Sequence, residues 1–550
     1  MMNPPRLLWL KKFLSLETLL ISAIAISLIL RFLNLETREL WYDEVLSLLL
    51  ATGQKIHYAT PTETPVAVSQ YRDLLNLPNA SFAKTLQSLL RGLYSGEPHP
   101  PLFFLTHHFW LRLFGNSEAA LRSLPALWSV GAIGAAFGLG RRLLNRRGGL
   151  LFAAVIATNP FYLFHSLNVR MYTPLVFWAL LSVWALVELT ASRSKKSTWI
   201  WQGIFVGAIA GGLLTFYLFT YWVVAIAGLI LILDRQRWLP HAIRLGTSLL
   251  LTLPWAVWGT LKQLRNADLD RFNTDRQTGN PILLHLQGVF QTLGIHLHLG
   301  DWITSLEPSW IVLSGIGTTM LLVAAALHVW KVKEQKLLAV ALTMGILPLF
   351  LALLVDVITG KYTLSFGWGR ALIFILPGCL LLPAIAIEHA GRWRNLLAAS
   401  LLLAYLAIDV GDLSLRQRQV FRQIADLVRH EHSTPTLIAL NTQAWGHINR
   451  VAYYMPAGAR VDLLAQPSAK LGTVLKKTLE NSQSPHQTRY QRVLFIESAT
   501  PLWSAPMTDD ERLEITQILE ERFSLKIAQR LTGTMNLDEF QISLYRLSPR

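Results

Sequence analysis

Eleven apolar stretches of about twenty residues recur along this chain, at 14–33, 119–140, 148–165, 171–190, 199–216, 217–233, 241–260, 310–330, 336–356, 371–388 and 394–410. A helix needs about 20 apolar residues to cross the roughly 30 Å hydrocarbon core, and in lipid every backbone N–H and C=O must be satisfied within the protein. Stretches of this length and number predict an α-helical polytopic membrane protein. Composition agrees where it bears on the argument. Only 15% of the 550 residues are charged, against about 25% in soluble domains. A net charge of +16 would suggest nucleic acid as partner in a soluble chain. Here much of the basic charge sits in short loops between apolar stretches, so anionic lipid headgroups are the expected partner. The single cysteine, Cys379, lies in an apolar stretch, which excludes an intramolecular disulfide and a cysteine metal site. The first stretch is long and has no small-residue cleavage site, so it reads as a retained signal anchor.

Loop charge sets the expected orientation. Arg6, Lys11 and Lys12 precede the first stretch, and Arg141, Arg142, Arg146 and Arg147 follow the second. Both clusters belong in the cytoplasm. That requires Leu102 to Phe114, short and carrying His107 and His108, to lie in the interface rather than to cross. Arg193/Lys195/Lys196, Arg235/Arg237, Lys331/Lys333/Lys336 and Arg392/Arg394 then also fall inside. Seventeen basic residues sit in these inside segments, against six in the external stretch 34–118. Eleven crossings result, with the N-terminus in and the C-terminus out of a plasma (inner) membrane. The expected organisation is a transmembrane module over 1–410, with a large first external loop at 34–118, and an extracytoplasmic soluble α/β domain over 411–550. The latter has ordinary charge density, strand-like runs at Thr436–Leu440 and Arg492–Ile496, a helical stretch at 508–522 and a final alternating run at Phe540–Leu547.

Four external clusters carry residues suited to chemistry. Trp41-Tyr42-Asp43-Glu44 follows the first crossing. Asp43 and Glu44 read either as a solvated pair capping a helix that begins at Val45 or as a general base with a neighbouring acid. Glu97-Pro98-His99-Pro100-Pro101 reads either as a rigid turn or as a second acid and an imidazole at the same face. Arg170, in Asn168-Val169-Arg170-Met171-Tyr172, is the one basic residue of a short external turn. It would meet no favourable helix dipole there, so a phosphate or carboxylate partner explains it better than snorkelling does. Lys361, Tyr362 and Arg370 stand outside beside a crossing, against the positive-inside bias. Headgroup anchoring and phosphate binding both account for them. His296 and His298, in the loop 261–309, are weaker candidates to line a site. Carboxylates and phosphate-seeking cations on one face fit a lipid phosphate-linked substrate.

These residues resemble the polytopic GT-C glycosyltransferases, in the branch of the protein O-mannosyltransferases and the lipid A aminoarabinose transferase. Trp41 to Glu44, Glu97 to Pro101 with Leu102-Phe103-Phe104, Phe114 to Arg122, Arg170-Met171-Tyr172, and Gly369 to Ile373 through Pro377 carry the resemblance by their order and topology. It covers roughly residues 15–390 and leaves the C-terminal domain aside. It implies transfer of a sugar from a polyprenyl-phosphate donor to a hydroxyl acceptor (lipid, glycan or protein), with inversion at the anomeric carbon. It implies Asp43 as base, Glu44 as its helper and Glu97 as a second acid touching substrate or metal. His99, Arg170, Tyr172, Lys361, Tyr362 and Arg370 would bind substrate, the cations holding the donor phosphate. A divalent metal ion is left open. Arg370-Ala371 departs from the Arg-Tyr frequent in the family. Two rivals make different predictions. A flippase of a lipid-linked sugar needs ionisable residues at mid-membrane and repeated broken helices. A scaffold needs only its soluble domain.

Overall fold

The computed structural model describes the chain except for residues 1–14, 55–60, 62, 97–98, 192–193, 267–279, 365–366, 416–418, 482, 485–486, 503, 534, 536 and 549–550. Arg6, Lys11, Lys12, Glu97 and Arg193 therefore lie outside the described residues. The chain divides into two compact units, one formed by Met1–Leu35, Pro98–Thr106 and Arg122–Leu415, the other by Glu36–Glu97, His107–Leu121 and Arg416–Arg550.

The first unit is helical and membrane-spanning. Among the described residues nine helices are long and apolar enough to cross, and the bent pair Arg146–Thr158 and Pro160–Ser166 makes ten. One of the nine, Phe219–Arg265, runs for 47 residues. At about 1.5 Å per residue that is roughly 70 Å, more than twice the hydrocarbon thickness. The stretch breaks at Asp234 (φ −151°, ψ 59°) into Phe219–Asp234 and Trp238–Trp255, two crossings. With the bent pair counted as one crossing, the described helices give eleven, the number expected. Leu102–Phe114 has 13 residues, about 20 Å of helix, too short to cross. The apolar stretch 148–165 predicts one continuous crossing, but the helix turns by 63° at Asn159-Pro160. Proline has no N–H to give and pushes the preceding residue out of the helical region, so Asn159 is extended (ψ 122°). Its side chain then caps the next helix by accepting the Tyr162 N–H at 2.9 Å.

The arginine cluster at 141–147 also holds helix ends together. Arg142 Nη2 donates to Glu188 Oε2 at 2.7 Å, at the end of the Tyr172–Ala191 helix. Arg147 Nε and Asn145 Nδ2 both donate to Glu388 Oε1 at 3.1 Å, at the end of the Leu376–Glu388 helix. Such forked charge-assisted bonds are strong and directional.

The second unit is built on a six-stranded mixed sheet. Its order is Val66–Ala67, Val461–Ala465, Thr436–Leu440, Arg492–Ser498, Glu539–Leu547, Phe523–Thr532. The Val461, Thr436 and Arg492 strands run parallel, and the outer pairings are antiparallel. Alternate residues of a strand face opposite sides, and both sides are covered. Ile438, Leu440, Leu463, Leu494, Ile496 and Ile542 pack under helices Val420–Arg429 and Trp445–Tyr454. Leu437, Ala439, Leu464, Val493 and Phe495 pack under helices Ser468–Asn481 and Asp509–Glu520. Double coverage explains why Thr436–Leu440 is buried along its whole length. The edge strand Val66–Ala67 comes from the first loop, so one sheet joins residues more than 350 positions apart.

Candidate active site

The acid pair begins a helix. Tyr42–Ala51 starts one turn earlier than the sequence suggests, and Asp43 and Glu44 lie in its first turn, where negative charge meets the positive helix end. Glu44 is fully buried rather than solvated. Its Oε2 accepts the Trp41 N–H at 3.0 Å, so the capping role is real for this residue. Asp43 is half-buried, and its carbonyl accepts the Ser47 hydroxyl at 2.9 Å.

The segment leading into this pair is anchored. Glu39 is buried and accepts the N–H groups of Val420 and Phe421 at 2.9 Å each, and that of Arg422, at the start of the Val420–Arg429 helix. Burial pushes the Glu39 carboxyl up to about 7, against the lowering pull of Arg450 and of the Arg422 and Phe421 N–H groups. The sign follows. A carboxyl held above its usual 4.5 in the fold favours the protonated form, so its contribution is complete below about 4.5 and lost as pH rises through about 7. We expect the unfolding temperature of the purified chain to fall between about pH 5 and pH 8, and Glu39→Gln to flatten that slope. Thermal scans over this range check it.

Within the membrane unit, His99 and Arg170 come together. Arg170 Nη2 donates to His99 Nε2 at 3.3 Å, and the His99 carbonyl accepts Gln263 Nε2 at 2.8 Å. Arg170 is 6% exposed. The His99 ring packs on Phe216 with centroids 5.2 Å apart. Tyr172 is buried, edge-on to His165 at 4.6 Å. No pattern in the sequence singles out Gln263. It follows a turn of π-helix, Ala256–Thr260, a feature often found at functional sites, and its side chain also accepts from Tyr217.

The loop bearing Lys361 and Arg370 is held by two buried groups. Asp356 accepts the N–H groups of Thr363 and Leu364 at 2.8 Å and the Thr363 hydroxyl at 2.6 Å, and its own carbonyl accepts the Lys361 N–H at 3.0 Å. Tyr362 donates its hydroxyl to the Leu284 carbonyl at 2.8 Å. Arg370 follows Gly369 (φ +72°), a left-handed conformation that favours glycine. His296, fully buried and stacked on Phe161 at 4.2 Å, donates from Nε2 to the Gly369 carbonyl at 3.1 Å. In the sequence His296 and His298 are equivalent candidates to line a site. His298 instead bonds Thr318 Oγ1 at 2.6 Å, between helices.

Among the described residues no three His, Cys, Asp or Glu side chains group as metal ligands.

Residues 98–258 match the family model described as dolichyl-phosphate-mannose-protein mannosyltransferase. A comparison with curated proteins gave no match. Among solved structures, the chain is similar to the Archaeoglobus fulgidus oligosaccharyltransferase in complex with Zn and sulfate (14% identity, 94% of this chain and 72% of that one, TM-score 0.48). It is also similar to ArnT from Cupriavidus metallidurans bound to undecaprenyl phosphate (14%, 95% and 97%, TM-score 0.40). The Saccharomyces cerevisiae Pmt1-Pmt2 protein O-mannosyltransferase complex with its sugar donor is more distant (15%, 48% and 37%, TM-score 0.32). The matched segment 98–258 contains His99, Arg170 and Tyr172 and is similar to the dolichyl-phosphate-mannose-protein mannosyltransferase family.

Proposed function

We propose that this chain is a membrane glycosyltransferase that moves a hexose or pentose from a polyprenyl phosphate to a hydroxyl of a lipid, glycan or protein, at the outer face of a plasma membrane. Residues 1–410 are the transferase module and 411–550 an extracytoplasmic domain. The observation that carries the reading is the Arg170–His99 pair inside the segment that matches a mannosyltransferase family. In the reaction, Asp43 takes the proton of the acceptor hydroxyl. The acceptor oxygen attacks the anomeric carbon, and the bond from that carbon to the phosphate oxygen breaks with inversion. Arg170, Lys361 and Arg370 receive the negative charge that gathers on the departing polyprenyl phosphate. His99 fixes Arg170, and Asp356 and His296 fix the loop that presents the other two cations. Glu97 is the second acid.

The test uses the full chain in nanodiscs, labelled polyprenyl-phosphate hexose and pentose donors, and membrane extracts as acceptor. Transfer of label is expected from one donor class. Arg370→Ala should raise the donor KM roughly tenfold, the usual worth of a charge-assisted bond. Absence of transfer from every donor, with no polyprenyl lipid co-purifying, would reject the reading.

A further inference from the structure

The residues just ahead of Asp43 are gripped by two helices that lie about 400 positions later. Glu39 takes the N–H groups at the start of the Val420–Arg429 helix. The Leu40 N–H donates to Tyr454 Oη at 2.6 Å, and that hydroxyl donates on to Glu118. The Tyr42 ring lies flush on Gly446, where a Cβ would sit 2.4 Å from Cδ2 and Cε2. His447 meets the same ring edge-on, with centroids 5.1 Å apart at 73°. Burial, with the charge of Arg450, pushes His447 down to about 3, so the imidazole meets the ring as a neutral group.

The grip has a chemical consequence. Tyr42 is the first helical residue, and Asp43 is the next. Shifting Tyr42 turns the start of the helix and the carboxylate with it. Mere burial of residues 39–42 would tolerate small adjustments, but the Gly446 contact leaves no space for even one methyl group. We infer that Gly446, His447 and Tyr454 are positioning residues, through which the C-terminal domain sets the orientation of Asp43 for catalysis. The inference rests on the reading of Asp43 as base. It gives the C-terminal domain a part in the chemistry, where the scaffold reading gives it only a partner to bind.

The test compares Gly446→Ala, Tyr454→Phe and Asp43→Asn with the parent chain, in nanodiscs, on whichever polyprenyl-phosphate hexose or pentose is turned over. Gly446→Ala is expected to lower kcat roughly tenfold to a hundredfold, as a misplaced catalytic group does, with donor KM changed less than about twofold. Tyr454→Phe should show the same split, and it decides the matter if Gly446→Ala does not fold. If Asp43→Asn stops transfer but neither positioning variant changes kcat, the inference fails while the base assignment stands. If Asp43→Asn transfers at the parent rate, the reading beneath it fails.

Discussion

Replacing Asp43 with asparagine is expected to lower sugar transfer by roughly 10²–10⁴-fold, the usual contribution of a positioned general base. Asparagine has nearly the same shape and leaves the Ser47 bond to the residue 43 carbonyl in place. It removes one negative charge from the first helical turn, a loss of about 0.3–1 kcal/mol at most exposed sites. A large fall in kcat with little change in unfolding temperature therefore separates chemistry from helix stability. Glu44→Gln is the matching control. Its amide oxygen keeps an acceptor for the Trp41 N–H. Initial rates on a labelled polyprenyl-phosphate donor measure both variants. A parent-like rate for Asp43→Asn removes Asp43 from the base role and passes it to another acid.

The membrane fold was legible because its cause is local. Length and apolarity decide whether a helix can cross, and both are read residue by residue. The shortness of Leu102–Phe114 was visible in the same way. The turn at Asn159-Pro160 carried its own signal, since an Asn-Pro pair disfavours helix, but an apolar stretch of the right length hid it. Strands of the C-terminal sheet were legible at Thr436–Leu440 and at Arg492–Ile496, the latter running two residues further to Ser498, because helices on both faces demand continuous apolar runs. The small edge strand Val66–Ala67 was not, because two residues have no period to read.

The candidate site divides the same way. Asp43, His99, Arg170 and Arg370 stood out because charge and imidazole beside a crossing are costly enough to notice. The groups that hold them did not. Gln263 reaches the His99 carbonyl across 164 positions, and His296 reaches that of Gly369 across 73. Asp356 reads as the end of an apolar helix until its three acceptor bonds to residues 363 and 364 are seen. Such residues are chosen by tertiary hydrogen bonding, which leaves no spacing in the sequence. The grip of residues 446 and 454 on residues 40 and 42 is of that kind, and no periodicity announces it.

The second large effect is expected on stability, at Asp538. Arg450 and Asp538 form an ion pair in which both side chains are buried, with Nη2 to Oδ2 at 3.1 Å and a shorter bond beside it. The guanidinium also lies over the Phe421 ring, 4.2 Å from its centroid. Burial works against the Arg450 charge, but Asp538 more than offsets it and raises the pKa, so the cation is kept inside the domain. Asp538→Ala would leave that cation buried without its partner, which costs about 3–5 kcal/mol. Arg450 lies on the Trp445–Tyr454 helix, within one turn of both His447 and Tyr454, so the loss should loosen the helix that holds Leu40 and Tyr42. Unfolding of the full chain at lower temperature, together with faster proteolysis within 420–454, is the expected result. Replacing both partners with apolar residues, as Arg450→Met with Asp538→Leu, should recover most of the stability, because no uncompensated charge remains. If the single variant unfolds like the parent, the pair does not hold the helix; if the double variant is no more stable than the single, the unpaired charge is not what the single variant suffers from.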